Sequence, residues 1–156
     1  MVTTNAMRKL RAAKIPFEVR EYEVDESDLS GVHIAESLGI SPDCMFKTLV
    51  ARGDGGAIYV FCIPSASELD LKKCALLVGE KKIEMVHVKD LLSLTGYIRG
   101  GCSPIGMKKK FPTYFDATAA DHEKITVSAG VRGAQMLLDR ETLVAFVGGK
   151  LIDVAR

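Results

Sequence analysis

A chain of 156 residues with a formal net charge of +1 and 47% hydrophobic residues is long enough for one self-sufficient domain. Such a domain buries about 68–70% of the surface its unfolded form exposes. Cys44, Cys62, Cys74 and Cys102 fall in no CxxC pair and no zinc-ligand spacing, which argues against a disulfide framework and for reduced thiols in a cytoplasmic protein. The N-terminal stretch lacks the apolar core of a signal peptide, and the longest apolar run, Ala57 to Ile63, is far too short to span a bilayer, so no membrane partner is expected.

The first predicted element is a helix. Met7, Leu10 and Ala13 recur at helical spacing behind the capping candidates Thr3, Thr4 and Asn5, and Pro16 ends the pattern. Phe17, Val19 and the Tyr22 to Val24 region read as a strand, and Gly31 to Leu38 as a helix stopped by Gly39. The β-rich runs Met45 to Ala51 and Ala57 to Ile63, separated by Gly53-Asp54-Gly55-Gly56, predict a hairpin whose second strand is buried on both faces. Helices are expected over Leu69 to Val78 and His87 to Leu94, with Gly79 and Gly96 as terminators. Short strands fit Tyr97 to Arg99, Thr113 to Asp116, Ile125 to Ser128 and Ala134 to Leu138, and a last helix, Glu141 to Val147, is capped by Asp139 and stopped by Gly148. Hairpins mixed with irregularly placed helices give an α+β class, and the absence of a repeat or linker gives a single domain over 1–156.

Charge is unevenly distributed. From Glu18 to Asp43 there are eight acids and one base, whereas from Lys72 to Lys110 there are nine bases and three acids. The second segment suits a polyanion, although a basic run also serves as an ordinary solvated face. Within it, Gly100-Gly101-Cys102-Ser103-Pro104-Ile105-Gly106 precedes Lys108, Lys109 and Lys110. Glycines let main-chain N–H groups approach an anion closely, so this turn suits an oxyanion or a phosphate as well as a plain surface connection. Lys47 interrupts an apolar strand and projects opposite to Phe46 and Thr48. Ser103 and Ser128 lack a GxSxG context, and Cys102 is the one thiol in a turn that exposure would make a nucleophile, although a free cysteine is more often a small buried hydrophobe. His33, His87 and His122 form no HExxH or HxH arrangement, so neither a metal nor another cofactor is expected.

Four pieces in order, Phe46-Lys47-Thr48-Leu49, Leu69-Asp70-Leu71-Lys72-Lys73, Thr95-Gly96-Tyr97 with the Gly100 to Gly106 turn, and Val127 to Gly133, together resemble the YbaK family. That family is related to the editing domain inserted in bacterial prolyl-tRNA synthetases, and the resemblance extends over nearly the whole chain. It implies a compact α+β domain with a mixed, strongly curved, barrel-like sheet and surrounding helices. It implies a trans-editing deacylase for misacylated tRNA, typically Cys-tRNA(Pro), in which the substrate thiol attacks its own ester; the near-neutral net charge in turn points to weak intrinsic tRNA affinity and so to a ternary complex with prolyl-tRNA synthetase as the expected partner. By the same resemblance Lys47, Gly100 and Gly101 are catalytic, and Tyr22, Ser30, Thr48, Cys102, Ser103, Pro104, Ser128 and Gln135 surround the substrate. Lys108, Lys109 and Lys110 would hold the acceptor stem. Two positions depart from the family pattern: Gln135 stands where cysteine-specific relatives often carry an aspartate, and Ser30 where an aromatic residue is common. A deacylase for alanine, serine or another small residue therefore stays open, as does a non-catalytic module binding tRNA or a synthetase.

Overall fold

The computed structural model describes residues 3–156. Helix α1 (Asn5–Ala12) is capped by Thr4, whose hydroxyl oxygen accepts from Met7 N–H at 3.2 Å and donates to Ala129 O at 2.5 Å. Buried Ala6, Met7 and Leu10 make its inward stripe. Strand β1 (Glu18–Glu21) ends before the Tyr22 to Val24 region that sequence placed in a strand. Helix α2 (Gly31–Leu38) carries the Ser30 cap and closes at Gly39. Strands β2 (Phe46–Gly53) and β3 (Ile58–Pro64) form the expected hairpin, followed by α3 (Leu71–Val78), β4 (Ile83–Met85) and α4 (Val88–Thr95). The chain continues with β5 (Thr113–Asp116), a 3-10 turn (Ala117–Asp121), β6 (Lys124–Ser128), β7 (Ala134–Asp139), α5 (Arg140–Phe146) and β8 (Lys150–Ile152).

The α+β class holds, but the barrel-like sheet does not. The strands divide into an antiparallel sheet in the order β1-β7-β6 and a mixed five-stranded sheet in the order β4-β2-β3-β5-β8. The two sheets are joined through an isolated parallel bridge, Met45 to Thr126, and neither closes on itself. Phe46, Val50, Val60, Cys62 and Phe115 from the larger sheet pack with Val127, Met136 and Leu138 from the smaller one and with α1 in the main core. The alternate residues Ala51, Phe61 and Ile63 pack on the other face against Cys74 and Ala75 of α3, as the strand period of two requires.

Asp116 fastens the end of the chain to this sheet. One carboxylate oxygen accepts from Val154 and Ala155 N–H at 3.1 Å each, and the other from Thr118 N–H at 3.2 Å and the Thr118 hydroxyl at 2.5 Å. Burial pushes this carboxyl upward, yet the hydrogen bonds outweigh it and hold the group below its ordinary value. We expect Asp116→Ala, which leaves the buried Val154 N–H and the part-buried Ala155 N–H without an acceptor, to cost about 3 kcal/mol in chemical denaturation. A depressed folded-state pKa stabilises above the unfolded value of 3.8 and is lost as pH falls through the folded value. The acid arm of the wild-type stability curve should therefore flatten in the variant.

Candidate active site

One edge of β2 pairs with β3 from Phe46 to Arg52, but the other meets β4 only from Ala51 to Gly53, with a further bond from Val86 N–H to Val50 O at 3.1 Å. The Phe46 to Leu49 stretch of that edge is left open and lines a cleft of about 430 Å³. The N-terminus of α2 supplies one wall through Ser30, Gly31 and Ile34, and Met85, Val88 and Leu91 supply an apolar wall opposite. Gly100 and Cys102 close the end, and Ser128 and Gln135 contribute from the smaller sheet.

Lys47 is half-buried in this cleft and makes no hydrogen bond or ion pair among the described residues. Burial pushes its ammonium pKa down, opposed by the charge of Glu68. An unpaired, partly desolvated cation is a strong binding element for an anion, since it gives up little hydration on contact. Thr48 lies beside it with its hydroxyl 3.7 Å from Cys62 Sγ.

The glycine turn divides its labour. Gly100 adopts φ +85°, a left-handed conformation that L side chains rarely take, and lines the cleft. Gly101 does not line it: its N–H donates to Ile98 O at 3.0 Å. A Cβ there would stand 3.0 to 3.1 Å from main-chain atoms of Val131 and Arg132. Gly101 thus lets two loops touch, whereas the N–H groups of Gly100 and Cys102 have no protein acceptor among the described residues. Ser103 and Pro104, expected around the substrate, are buried behind the turn, where Ser103 Oγ accepts from Ile105 N–H at 3.3 Å and Tyr97 donates to Ile105 O at 2.5 Å.

Cys102 lines the cleft but is only 8% exposed, and burial pushes its thiol up to about 12. Cys102 is thus the small buried hydrophobe that a free cysteine usually is, and the nucleophile alternative finds no support in its burial. Tyr22 is also displaced from its expected place. Like Leu38, it packs against the buried cluster of Ile34, Ala35 and Met45, supporting α2 without lining the cleft. The lysine run is split off as well. Lys108 and Lys109 line a separate groove of about 290 Å³ with Arg52, Ser93, Leu94 and Phe111, while Lys110 reaches toward Gly148. Because Val88 and Leu91 face the cleft and Ser93 and Leu94 the groove, α4 forms the ridge between them.

Sequence reasoning missed Gly31, Ser65, Arg99 and the apolar wall of the cleft. Arg99 directly precedes the Gly100 to Gly106 turn, and that adjacency is the one sequence signal for it. The lining contains two cations, Lys47 and Arg99, several neutral donors, and neither a carboxylate nor an imidazole.

A family model described as the aminoacyl-tRNA editing domain matches residues 30–146. The chain belongs to that family. This editing domain is 48% identical over 151 residues to an Enterococcus faecalis protein provisionally named Cys-tRNA(Pro)/Cys-tRNA(Cys) deacylase EbsC, covering 97% of this chain and 92% of that one. It is 30% identical over 115 residues to a proline–tRNA ligase of Maridesulfovibrio salexigens, covering 71% of this chain and 19% of the ligase. A crystal structure provisionally titled as a trans-editing enzyme for prolyl tRNA synthetase shares the fold, with a TM-score of 0.83 at 23% identity over 100% of this chain and 99% of the other.

Proposed function

We propose that this editing domain is a trans-acting deacylase that clears Cys-tRNA(Pro). The observation that carries the reading is the chemistry of the cleft lining, rich in donors and cations and free of carboxylate and imidazole. Such a cleft can bind phosphate and polarise an ester carbonyl, but it has no ordinary base with which to activate water. A substrate that brings its own nucleophile escapes that limit. The cysteinyl thiol, once ionised, attacks its own ester carbonyl, and holding the two in reach can supply about 7–11 kcal/mol of the barrier. Lys47 grips the terminal phosphate or the ester region, and the free N–H groups of Gly100 and Cys102 meet the developing oxyanion.

The groove beyond α4 gives the rest of the acceptor end a path, with Arg52, Lys108 and Lys109 meeting backbone phosphates. The Lys108→Glu, Lys109→Glu pair should raise KM for aminoacyl-tRNA by ~10-fold and reduce the salt slope of tRNA binding by ~0.7–0.9 for each phosphate that is no longer neutralised. Release from a short cysteinyl-adenosine ester, which cannot reach the groove, should not change. The reading places one domain in the cytoplasm, acting in trans with prolyl-tRNA synthetase as the source of its misacylated substrate.

The deciding assay is amino-acid release from purified Cys-tRNA(Pro) and Ala-tRNA(Pro). Rapid cysteine release with slow alanine release supports the thiol-assisted reading. Preferential alanine release moves the assignment to another small residue, and salt-dependent tRNA binding without cleavage of either ester establishes a binding module.

A further inference from the structure

Gln135 lies on β7, directly opposite Ser128 on β6. Opposed residues of an antiparallel pair project from the same face of the sheet, with Cβ atoms about 4.5–5.5 Å apart, so the two side chains are neighbours where they line the cleft. Only 5% of Gln135 is exposed, and its orientation is fixed from behind: the hydroxyl of fully buried Thr126 donates to Gln135 Oε1 at 3.2 Å. In a planar amide, fixing Oε1 fixes Nε2. That nitrogen has no protein acceptor among the described residues and yet is not a buried orphan, so it opens on the cleft. Beside it, Ser128 Oγ accepts from Gly130 N–H at 3.2 Å, which leaves the serine hydroxyl proton free to donate. This part of the cleft therefore presents two adjacent donors and no carboxylate. It favours a polarisable or anionic acceptor over a cation.

We propose that Gln135 is a specificity-determining residue whose side-chain N–H, oriented by Thr126, donates to the sulfur of the cysteinyl ester and stabilises it as the thiolate. The inference rests on the deacylase reading above. In the step it serves, the thiol gives its proton to water and the sulfur forms a bond to the ester carbonyl carbon. The ester C–O bond breaks with its electron pair on the ribose oxygen, which takes a proton from solvent. The product is a cyclic thiolactone that water opens to free cysteine, and nothing is oxidised or reduced. An alanyl side chain has no atom for the donor to meet, and a seryl hydroxyl stays protonated at neutral pH.

The test is single-turnover release of cysteine from Cys-tRNA(Pro) from about pH 5.5 to 9.5, comparing wild type with Gln135→Glu, which keeps an oxygen for Thr126 but loses the donor, and with Gln135→Met, which loses the donor without adding charge. Both variants should move the midpoint of the rising limb upward by about one unit or more, the scale of a hydrogen bond to a charged group. At any pH well below both midpoints release should then fall by ~10-fold, with the deficit shrinking as pH rises through them. Far-UV circular dichroism and Tm close to wild type show that the variants are folded. An unshifted midpoint, with release lowered equally at every pH, would mean a merely structural role for Gln135 and overturn the proposal. A wild type that releases no cysteine at any pH sinks the deacylase reading itself, an outcome plainly distinct from an unshifted midpoint in an active enzyme.

Discussion

Replacing Lys47 with alanine is expected to lower kcat/KM for cysteine release by ~10²–10³-fold, the loss that follows removal of one well-aimed electrostatic contact to a transition state. The same substitution should leave Tm unchanged or raised. Lys47 sits half-buried on β2 with no ion-pair or hydrogen-bond partner among the described residues, and burial holds its folded-state pKa below the ordinary lysine value. The fold therefore bears the cost of a partly desolvated ammonium that contributes nothing to its own packing. Because the folded-state pKa is lowered, the wild type gains stability as pH rises through it, and Lys47→Met, which removes the charge and keeps the stem, should lack that alkaline gain. Lys47→Arg should not restore activity, since a planar fork replaces a compact point charge in a closed space. Steady-state kinetics and calorimetry on the three variants check this. A large fall in Tm with a proportionate fall in kcat/KM would instead make Lys47 a structural residue.

Much of the local architecture was legible because it is written in short-range chemistry. Thr4 and Asp139 each accept from an N–H three residues on, as the capping residues expected there do, and the β2–β3 hairpin follows from two β-rich runs around a glycine turn. Strands β4 and β8 were not legible. Each is three residues long and exists because a neighbouring strand offers it an edge, a tertiary cause with no local signal. Tyr97 to Arg99 shows the converse: β-forming side chains are overruled by the turn in which Gly101 N–H closes on Ile98 O. In the site, an isolated lysine within an apolar strand and a glycine-rich turn were readable as residues out of place. Their partners were not. Which glycine keeps its N–H free and which serves close packing depends on Val131 and Arg132, about thirty residues away, and the separation of Lys108 and Lys109 from the cleft depends on where α4 lies.

Gly31→Ala is the second large effect, and helix propensity gives its sign wrongly. At the first position of α2, alanine in place of glycine should stabilise by up to about 1 kcal/mol if local preference decided the outcome. Tertiary contact decides otherwise, because a Cβ on Gly31 would collide with Ser65 Cβ. A Cβ cannot rotate aside, and Ser65 is pinned by its N–H donating to Met45 O at 2.8 Å and its hydroxyl donating to Pro42 O at 3.0 Å. The helix must move instead, carrying with it the Ser30, Gly31 and Ile34 wall of the cleft. Overpacking of this kind costs about 1–3 kcal/mol, and a wall displaced by ~1 Å can cost ~10²-fold in rate. Gly55→Ala is the matched control: nothing lies within 4 Å of its Cβ position, so Tm and cysteine release should both stay at wild-type values. A more stable and fully active Gly31→Ala protein would show that α2 yields to the added methyl group without disturbing the cleft, and that the close approach to Ser65 is not what holds this wall in place.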